Sequence, residues 1–334
     1  AVDYATFYLS GALALLRQAK SGSGMLAKTD PPLISVVAGA VARLRGAKLV
    51  TWQQDVFPEV AAALGMRWAG GPVGKALRRL RNRSLRGAAM NVALNDRMAE
   101  HLAGEGIPPE RITVIPNWCD GGIRPIAPQD NPLRREWGLE GKFVIGYSGN
   151  LGRAHRPEAV AELVRRSWDL PDLAWVFIGG GPGLDRIRDV VAAAGAPNVH
   201  FRPYQPRERL SQSLSLPDLH LVSLDPSCEG LVMPSKLYGI LAAGRPVAFL
   251  GDPDGAVARE IRAHDLGAVL AIDALDAMRA VIADLEAEGS TCASMGGRAR
   301  ARFEQHYRLK RTLARWESVL TGPLEHADGR ALAR

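Results

Sequence analysis

The sequence predicts an α/β protein with parallel sheets, arranged as two domains. A chain of 334 residues is long enough for two domains that each bury a core. Apolar residues make up 47% of the chain and aromatic residues 6%, a composition typical of ordinary soluble α/β proteins. Short apolar strands alternate with helical segments in both halves, and this alternation indicates βαβ units.

The first half predicts an opening helix followed by alternating elements. The predicted helices cover residues 4–20, 33–44, the arginine-rich stretch around 75–86, and 96–104, and the predicted strands cover 48–52, 91–94 and 112–115. A doubly wound domain usually begins with a strand and a glycine turn, whereas this chain opens directly with a helix.

The second half predicts a further α/β block. Its strands are expected at 143–147, around Val176, around Val199, at 219–223 and at 247–250, and a helical tail at 298–320. Residues 121–142 lie in a stretch rich in Pro, Gly and Asn, which indicates a linker. We therefore expect a first domain over 1–120, this linker, a second domain over 143–305, and a C-terminal helix and tail over 306–334.

Cysteine usage and hydropathy exclude several classes of protein. Cys119, Cys228 and Cys292 are far apart and odd in number, so they predict neither a disulfide framework nor a zinc site. The sequence contains no run of eighteen apolar residues, so it predicts no membrane-spanning helix. The apolar stretch near residues 7–16 lacks the preceding charged region of a signal peptide. These features predict a cytoplasmic protein.

The positive charge is concentrated in one predicted helix. The net charge is +7, and six basic residues without an acidic one fall between Lys75 and Arg86. Val73, Leu77, Leu80 and Ser84 share one face of this helix, so it is amphipathic and basic. Such a helix suits an anionic membrane surface, and a solvated helix explains it equally well. Nucleic acid is not expected as a partner, because aromatic residues are not interleaved and no recognised motif is present.

The stretch FIGGGPGL, Phe177–Leu184, first suggests a dinucleotide-binding turn. The fingerprint of that turn requires three glycines, and the third position here is Leu184. The next predicted strand, 198–201, is not followed by the acidic residue that would hold a ribose. These two absences argue against a flavin or nicotinamide oxidoreductase. Taken alone, the motif favours a tight turn between a strand and a helix.

A second loop, Tyr147–Arg156, follows a predicted strand and precedes a helix that begins near Pro157. Glycines allow a ligand to approach the backbone, and Arg153, His155 and Arg156 offer positive charge at a helix N-terminus. Phosphate binding explains this combination better than a basic surface loop does.

A third stretch, Glu229–Val247, contains a predicted helix with Ser235 as its N-cap, Lys236 beside it and Gly244 at its end. An anion at the start of that helix would meet free N–H groups and Lys236. All three loops follow strands, and ligands of open α/β sheets bind at the carboxyl ends of strands.

The three stretches resemble the nucleotide-sugar domain of glycosyltransferase family 4. GNLGRAH, FIGGGPG and EGLVMPSKLYGILAAGRPV are each typical of the branch that builds bacterial surface polysaccharides or glycosylates natural products. TDPP, QDVFPE and VIPNW in the first half are typical of it as well. The resemblance covers nearly the whole chain. It implies the GT-B fold, in which two Rossmann-like doubly wound domains face each other across a cleft.

The resemblance also implies a reaction: retaining transfer of a sugar from a nucleotide diphosphate sugar to a glycan, lipid-linked or small-molecule acceptor. No cofactor and no metal is implied, because cationic side chains and a helix N-terminus stabilise the leaving diphosphate. Asp252 and Asp254 mimic a metal-binding pair but follow the last strand of a different type of fold. A lipid-linked acceptor would place the protein at the inner face of the membrane.

Residue roles follow from the matching motifs. Asp55, Arg153, Glu229 and Lys236 are the candidate catalytic residues, and Asp55 and Glu59 are assigned to acceptor binding. The candidate donor-binding residues are Gly149, Asn150, Gly152, Arg153, His155, Gly180, Gly181, Pro182, Tyr204, Pro234, Ser235, Lys236 and Leu237. Within this set, Arg153 and His155 are expected to neutralise the pyrophosphate, and the Tyr204 loop is expected to lie near the base.

The sequence departs from the family pattern at two points. Leu231 and Gly239 stand where many members carry two glutamates, the second of which holds the ribose. The opening strand and glycine loop of the family also have no counterpart. A nucleotide-sugar epimerase of the same fold and a non-catalytic nucleotide-sugar-binding fragment are therefore the alternatives. The second block offers mainly Glu229 as the acid or base that an epimerase needs.

Overall fold

A computed structural model describes residues 2–331 except Asp30, Asp120 and Pro171. The Asp30 of the TDPP motif therefore lies outside the described residues. The chain forms two compact units. Unit 1 comprises the chain up to Pro116, the segment Ser227–Met233 and the chain from Lys310 onward, and unit 2 comprises Asn117–Pro226 and Pro234–Leu309.

Strands and helices alternate along the chain, as the sequence predicts. The strands are β1 (Gly24–Lys28), β2 (Lys48–Trp52), β3 (Met90–Ala93), β4 (Ile112–Val114), β5 (Phe143–Asn150), β6 (Leu173–Gly180), β7 (Val199–Arg202), β8 (Leu219–Ser223), β9 (Val247–Gly251) and β10 (Gly267–Ala271). The helices are α1 (Val2–Gln18), α2 (Ile34–Arg45), α3 (Glu59–Ala63), α4 (Arg67–Gly70), α5 (Pro72–Gly87), α6 (Asp96–Gly104), α7 (Pro132–Glu136), α8 (Pro157–Ser167), α9 (Pro182–Ala194), α10 (Leu210–Ser215), α11 (Lys236–Ala242), α12 (Ala256–His264), α13 (Leu275–Ala287), α14 (Gly289–His306) and α15 (Leu309–Ala331).

The sheet of unit 1 is parallel, with the strands in the order β1-β2-β3-β4. Its edge strand β1 was not predicted from the sequence. Only Met25 and Ala27 of β1 are buried, and they pack with Ala38, Val41 and Leu49. A strand with two buried side chains next to a glycine- and serine-rich segment gives too weak an apolar pattern to be recognised.

The sheet of unit 2 is also parallel, with the order β10-β9-β8-β5-β6-β7. The chain runs outward from β5 to β7, returns to β8 on the other side of β5, and continues to β10. This reversal between β5 and β8 is the topological switch point of a Rossmann-like sheet. Tyr147, Trp175 and Phe177 lie fully buried in its core, and the rings of Trp175 and Phe177 stack with centroids 6.0 Å apart.

The segment 121–142, expected to be a linker, belongs to unit 2. It contains helix α7, and the buried Arg134 of α7 bonds the Leu216 carbonyl at 2.7 Å and Asp218 at 2.6 Å. Asn131 caps α7 and donates to the Gln212 carbonyl at 2.8 Å. The Pro- and Gly-rich composition therefore marks an irregular segment that is fixed by hydrogen bonds.

The expected C-terminal tail folds back on unit 1 as part of helix α15. Trp316 is buried against Trp52 of β2, with ring centroids 5.1 Å apart, and Arg315 donates to the Val114 carbonyl at 2.8 Å. The last residues of that predicted segment, 332–334, lie outside the described part of the chain.

Helix α5 is basic, as predicted, but its buried face differs from the expected one. Val73 and Leu80, expected on the apolar face, are 58% and 47% exposed, whereas Arg81 and Leu85 are buried. The sequence pattern could not show this, because an ion pair with Glu59 allows Arg81 to face the core. In the described chain no helix has both the length and the hydropathy that crossing a membrane requires.

Candidate functional site

Two predicted ligand loops of unit 2 are joined at the carboxyl ends of β5 and β6. The parallel pairing of these strands continues to Asn150 opposite Gly180, so both loops begin at the same level of the sheet. Leu151 then donates to the Gly180 carbonyl at 2.9 Å, and Gly183 donates to the Leu151 carbonyl at 3.0 Å. The backbones of the GNLG and GGGPG stretches are therefore hydrogen-bonded to each other.

Glycines of the GGGPG stretch are required by this packing. A Cβ on Gly179 would lie 2.4 Å from the Gly149 carbonyl oxygen, and a Cβ on Gly181 would lie 2.2 Å from the Asn150 side-chain oxygen. Both residues have positive φ angles, +135° and +110°, that disfavour other residues. Gly179 and Gly181 thus form the tight turn that the motif alone favoured.

The other predicted residues of this loop surround it. Gly180 lies beside the ring of Tyr204. A Cβ added to Gly180 would lie 3.4 Å from Cε2 of that ring. Tyr204 itself is 61% exposed, and the exposed Pro182 is the first residue of α9. An exposed aromatic ring beside a side-chain-free backbone position can stack on a planar ligand.

His155 fixes the first loop across the switch point of the sheet. Its Nδ1 donates to the Ser223 carbonyl at 2.7 Å, and the Ser223 hydroxyl donates to the His155 carbonyl at 2.7 Å. Burial, reinforced by the nearby Lys236, lowers the pKa of His155 to about 4. The ring is therefore neutral at pH 7. At this pKa the ligand-free chain gains no positive charge from His155, and the role expected for His155 at the pyrophosphate stays a prediction.

Lys236 lies next to the first loop with an enclosed ammonium group. The residue as a whole is half-buried, but its Nζ is closed off from solvent and makes no hydrogen bond to any described residue. Nζ stands 3.6 Å above the ring centroid of Tyr147, and Cε is 3.9 Å from the Cβ position of Gly149. Desolvation lowers the pKa of Lys236 to about 7. A buried amine without an acceptor is costly, and an anionic ligand would supply the acceptor.

Ser148 is a site residue that the sequence did not single out. Its hydroxyl is buried and makes no hydrogen bond within the described chain. It is next to Tyr147 and Gly149 at the end of β5. No motif marked it, because a serine in a strand gives no local signal until its burial is known.

Ser235 occupies the N-cap position of α11, as predicted, but its exposed side chain makes no capping hydrogen bond. Its backbone is already helical, with φ −63° and ψ −19°, which is unlike the extended backbone of a capping serine. Pro234 before it and Leu237 after it are buried. Leu237, predicted to meet the donor, thus packs in the core with its side chain.

The two arginines of the first loop differ in their surroundings. Arg156 forms an ion pair with Asp225 at 3.3 Å, so its charge is partly compensated. Arg153 is exposed in the turn that follows Gly152, and within the described residues it takes part in no ion pair. Of the three cationic side chains predicted in this loop, Arg153 is therefore the one with an uncompensated charge.

Asp55 and Glu229 belong to unit 1, whereas the loops described above belong to unit 2. The segments of these two residues are joined, because Val56 donates to the Leu231 carbonyl at 2.9 Å. Asp55 is exposed and Glu229 is half-buried. The candidate residues thus form one group in unit 2 and one group in unit 1.

Glu59, assigned to acceptor binding, is held in an ion pair. The buried Arg81 reaches both of its oxygens, at 2.7 and 2.9 Å. Burial alone would raise the pKa of Glu59, but His101 and Arg81 together hold it below its usual value. Glu59, His101 and Glu105 could together ligate a cation, yet the Arg81 guanidinium already lies within 3.9 Å of both glutamates. This network explains Glu59 as a structural residue.

Replacing Arg81 with alanine is expected to destabilise unit 1 by about 3 kcal/mol, because it leaves the largely buried Glu59 carboxylate without its guanidinium partner. Arg78→Ala is the matched control, since Arg78 is 41% exposed and pairs with Glu105 at 3.4 Å. The control is expected to cost less than about 1 kcal/mol. Urea denaturation measures both, and equal losses would contradict the structural role of Arg81.

The Asp252–Asp254 stretch forms a local turn. The Asp252 carboxylate accepts a hydrogen bond from the Asp254 backbone N–H at 2.9 Å, just before α12. A side chain that bonds the backbone two residues further on is the ordinary role of aspartate in a turn. This contact explains Asp252 without a metal.

Comparisons with known proteins agree with the architecture. Residues 8–118 match the family described as Glycosyl transferase 4-like domain, and residues 129–302 match Glycosyl transferases group 1. The structure of Anabaena HepE in complex with UDP covers 95% of this chain with a TM-score of 0.77, at 14% identity, and the match covers 82% of HepE. This likeness shows that the two units have the GT-B fold.

Two curated relatives carry glycosyltransferase names. "Putative colanic acid biosynthesis glycosyl transferase WcaI" of Escherichia coli K12 is 32% identical over 211 residues, which are 61% of this chain and 51% of that protein. "Probable glycosyltransferase WbjE" of Pseudomonas aeruginosa is 25% identical over 256 residues, 76% of this chain and 63% of that protein. The matches thus span between half and two thirds of these relatives. The group 1 match covers more than half of this chain, which therefore belongs to the group 1 glycosyl transferases of glycosyltransferase family 4.

Proposed function

We propose that this chain carries the donor site of a retaining glycosyltransferase. The enzyme would move a sugar from a nucleotide diphosphate sugar to a glycan, lipid-linked or small-molecule acceptor. One observation carries the proposal: Lys236 holds an enclosed ammonium without a hydrogen bond beside the Gly149 backbone, at the switch point of the sheet. This site lies inside the group 1 match.

In this reaction the largest change in charge occurs on the diphosphate leaving group. The bond between the anomeric carbon and the β-phosphate oxygen breaks and negative charge builds on the diphosphate. The oxygen of the acceptor hydroxyl bonds to that carbon, and its proton passes to the released diphosphate. Arg153 and Lys236 follow strands at the carboxyl edge of the sheet. The enclosed charge of Lys236 would stabilise such a transition state strongly, and the exposed Arg153 would add positive charge from the solvent side. Because these side chains supply the positive charge, we propose that transfer needs no metal.

We assign the remaining contacts by position. Gly149, Asn150 and Gly152 offer backbone to the phosphates, the neutral His155 holds their loop in place, and Ser148 offers a buried hydroxyl. Tyr204 would stack on the base of the nucleotide beside Gly180. UDP is the first nucleotide to test, since HepE was solved with UDP. Asp55 and Glu229 would act on the acceptor side.

Product analysis tests the proposal. The purified chain is incubated with UDP-glucose, UDP-galactose, UDP-N-acetylglucosamine or GDP-mannose, with a chelator present, and the products are followed by NMR. We expect slow release of the nucleoside diphosphate from one donor, with the sugar configuration retained in the product. A sugar isomer still attached to the nucleotide in the absence of acceptor would identify an epimerase instead and overturn the proposal.

A further inference from the structure

The solvent-facing side of helix α5 carries an apolar stripe. Val73, Ala76 and Leu80 are exposed at intervals of three and four residues, so they lie along one face of the helix. The opposite face is buried and contains Arg81 and Leu85. The outward stripe therefore has no role in the core of unit 1.

Unpaired cations flank this stripe. Two of the six basic residues of α5 are neutralised, since Arg78 pairs with Glu105 and Arg81 pairs with Glu59. The remaining four are exposed and form no ion pair with any described residue. These four are Lys75, Arg79, Arg83 and Arg86. At 100° per residue these four cations lie along one side of the stripe, so the helix presents an apolar edge next to a row of positive charge.

The preceding residues extend the apolar surface. Met66 and Trp68 are 40% and 45% exposed, and the Trp68 ring packs on Phe57 with centroids 5.9 Å apart. The turn between α4 and α5 is close-packed, because a Cβ on Gly74 would overlap the Ala69 carbonyl. The half-exposed Trp68 thus precedes the stripe in the chain and is packed on one side by Phe57.

We propose that this surface, made of Met66, Trp68 and the outward face of α5, docks on a membrane rich in anionic lipids. The helix would lie in the plane of the interface, with Val73 and Leu80 among the acyl chains and the cations on the headgroups. Interfacial helices have this composition, and tryptophan favours the same depth. A solvated helix explains the cations but leaves the exposed apolar stripe without a role. The inference extends the proposed function by naming a partner surface, and it favours a lipid-linked acceptor.

Vesicle co-sedimentation tests the proposal without any sugar substrate. The intact chain is mixed with vesicles of phosphatidylcholine alone or with equal parts of phosphatidylglycerol. We expect binding to the anionic vesicles only, weakened by salt. The double variant Val73→Ser, Leu80→Ser is expected to bind roughly tenfold more weakly. Leu313→Ser is the matched control, because Leu313 of α15 has the same 47% exposure as Leu80, and it is expected to bind like the parent chain.

Other outcomes would overturn the proposal. If the double variant bound anionic vesicles as tightly as the parent chain, the contact would depend on charge alone. If RNA also displaced the chain from those vesicles, nucleic acid would be indicated as the partner. A blue shift of tryptophan fluorescence on vesicles, lost in Trp68→Phe, is expected if Trp68 enters the interface. UDP binding measured on the same preparations separates failure of this surface from failure of the donor site.

Discussion

Replacing Lys236 with methionine is expected to weaken nucleoside diphosphate binding by roughly 10- to 100-fold, as for loss of a hydrogen bond to a charged group. The same change is expected to stabilise the ligand-free chain by about 2 kcal/mol, because it removes an enclosed ammonium that lacks a hydrogen-bond acceptor. Methionine keeps the length of the side chain and its contact with Tyr147. Opposite effects on binding and stability would identify Lys236 as a ligand-binding residue.

The pH dependence of binding follows from the lowered pKa of Lys236. In the free chain this pKa is about 7, and a diphosphate beside the ammonium would raise it. The contribution of Lys236 to binding is therefore fully present below pH 7. It is lost as the pH rises from 7 towards the pKa in the complex, by up to roughly tenfold in affinity per pH unit. Calorimetry at pH 8 in two buffers of different ionisation enthalpy is expected to show proton uptake.

Lys310→Met is the control for Lys236, since Lys310 is exposed. It is expected to change neither the affinity nor the proton uptake. If Lys236→Met bound UDP as tightly as the parent chain, or if binding were independent of pH between 7 and 9, the role assigned to Lys236 would be wrong.

Substitution of Gly179 by alanine is expected to destabilise unit 2 by about 3 kcal/mol or more, because it combines a steric overlap with an unfavourable backbone conformation. The new Cβ would lie 2.4 Å from the Gly149 carbonyl oxygen, which is backbone and cannot rotate away. The two loops would have to separate, so UDP binding is expected to be lost as well. Urea denaturation and calorimetry measure the two effects.

Gly195→Ala is the matched control for this substitution. Gly195 also has a positive φ, +63°, but nothing lies within 4 Å of its Cβ position. It is expected to cost only about 1 kcal/mol, the strain of a left-handed residue. Similar losses for both variants would show that backbone strain, and not the joining of the two loops, explains the glycine at 179.

The sequence predicted the central strands of both sheets because they are short runs rich in apolar residues and bounded by polar or turn-forming residues. β2 and β8 have the predicted bounds, and β5 begins as predicted at Phe143. β10 was not predicted although its sequence GAVLA is apolar; it is an edge strand whose residues are all only half-buried. The packing of 121–142 on unit 2 was also missed, because it depends on long-range hydrogen bonds such as those of Arg134.

The candidate loops could be predicted from the sequence, whereas the electrostatic surroundings of their side chains could not. Glycines and cations after strands located the loops of Gly149 and Lys236, because that pattern is local in sequence. The neutral state of His155 and the lowered pKa of Lys236 arise from burial by distant elements. Burial also makes Ser148 a candidate for ligand binding, and no local pattern reports that burial.

The central claim, that unit 2 holds a nucleoside diphosphate, is tested most directly by thermal unfolding of the chain with UDP, GDP, dTDP, NAD, NADP or FAD. A ligand at 100 times its dissociation constant is expected to stabilise the folded chain by about 2.7 kcal/mol. The account predicts a rise with one nucleoside diphosphate that Arg153→Ala abolishes and Arg165→Ala, on the far end of α8, leaves intact. A rise with a dinucleotide alone, or no rise with any nucleoside diphosphate, would contradict it.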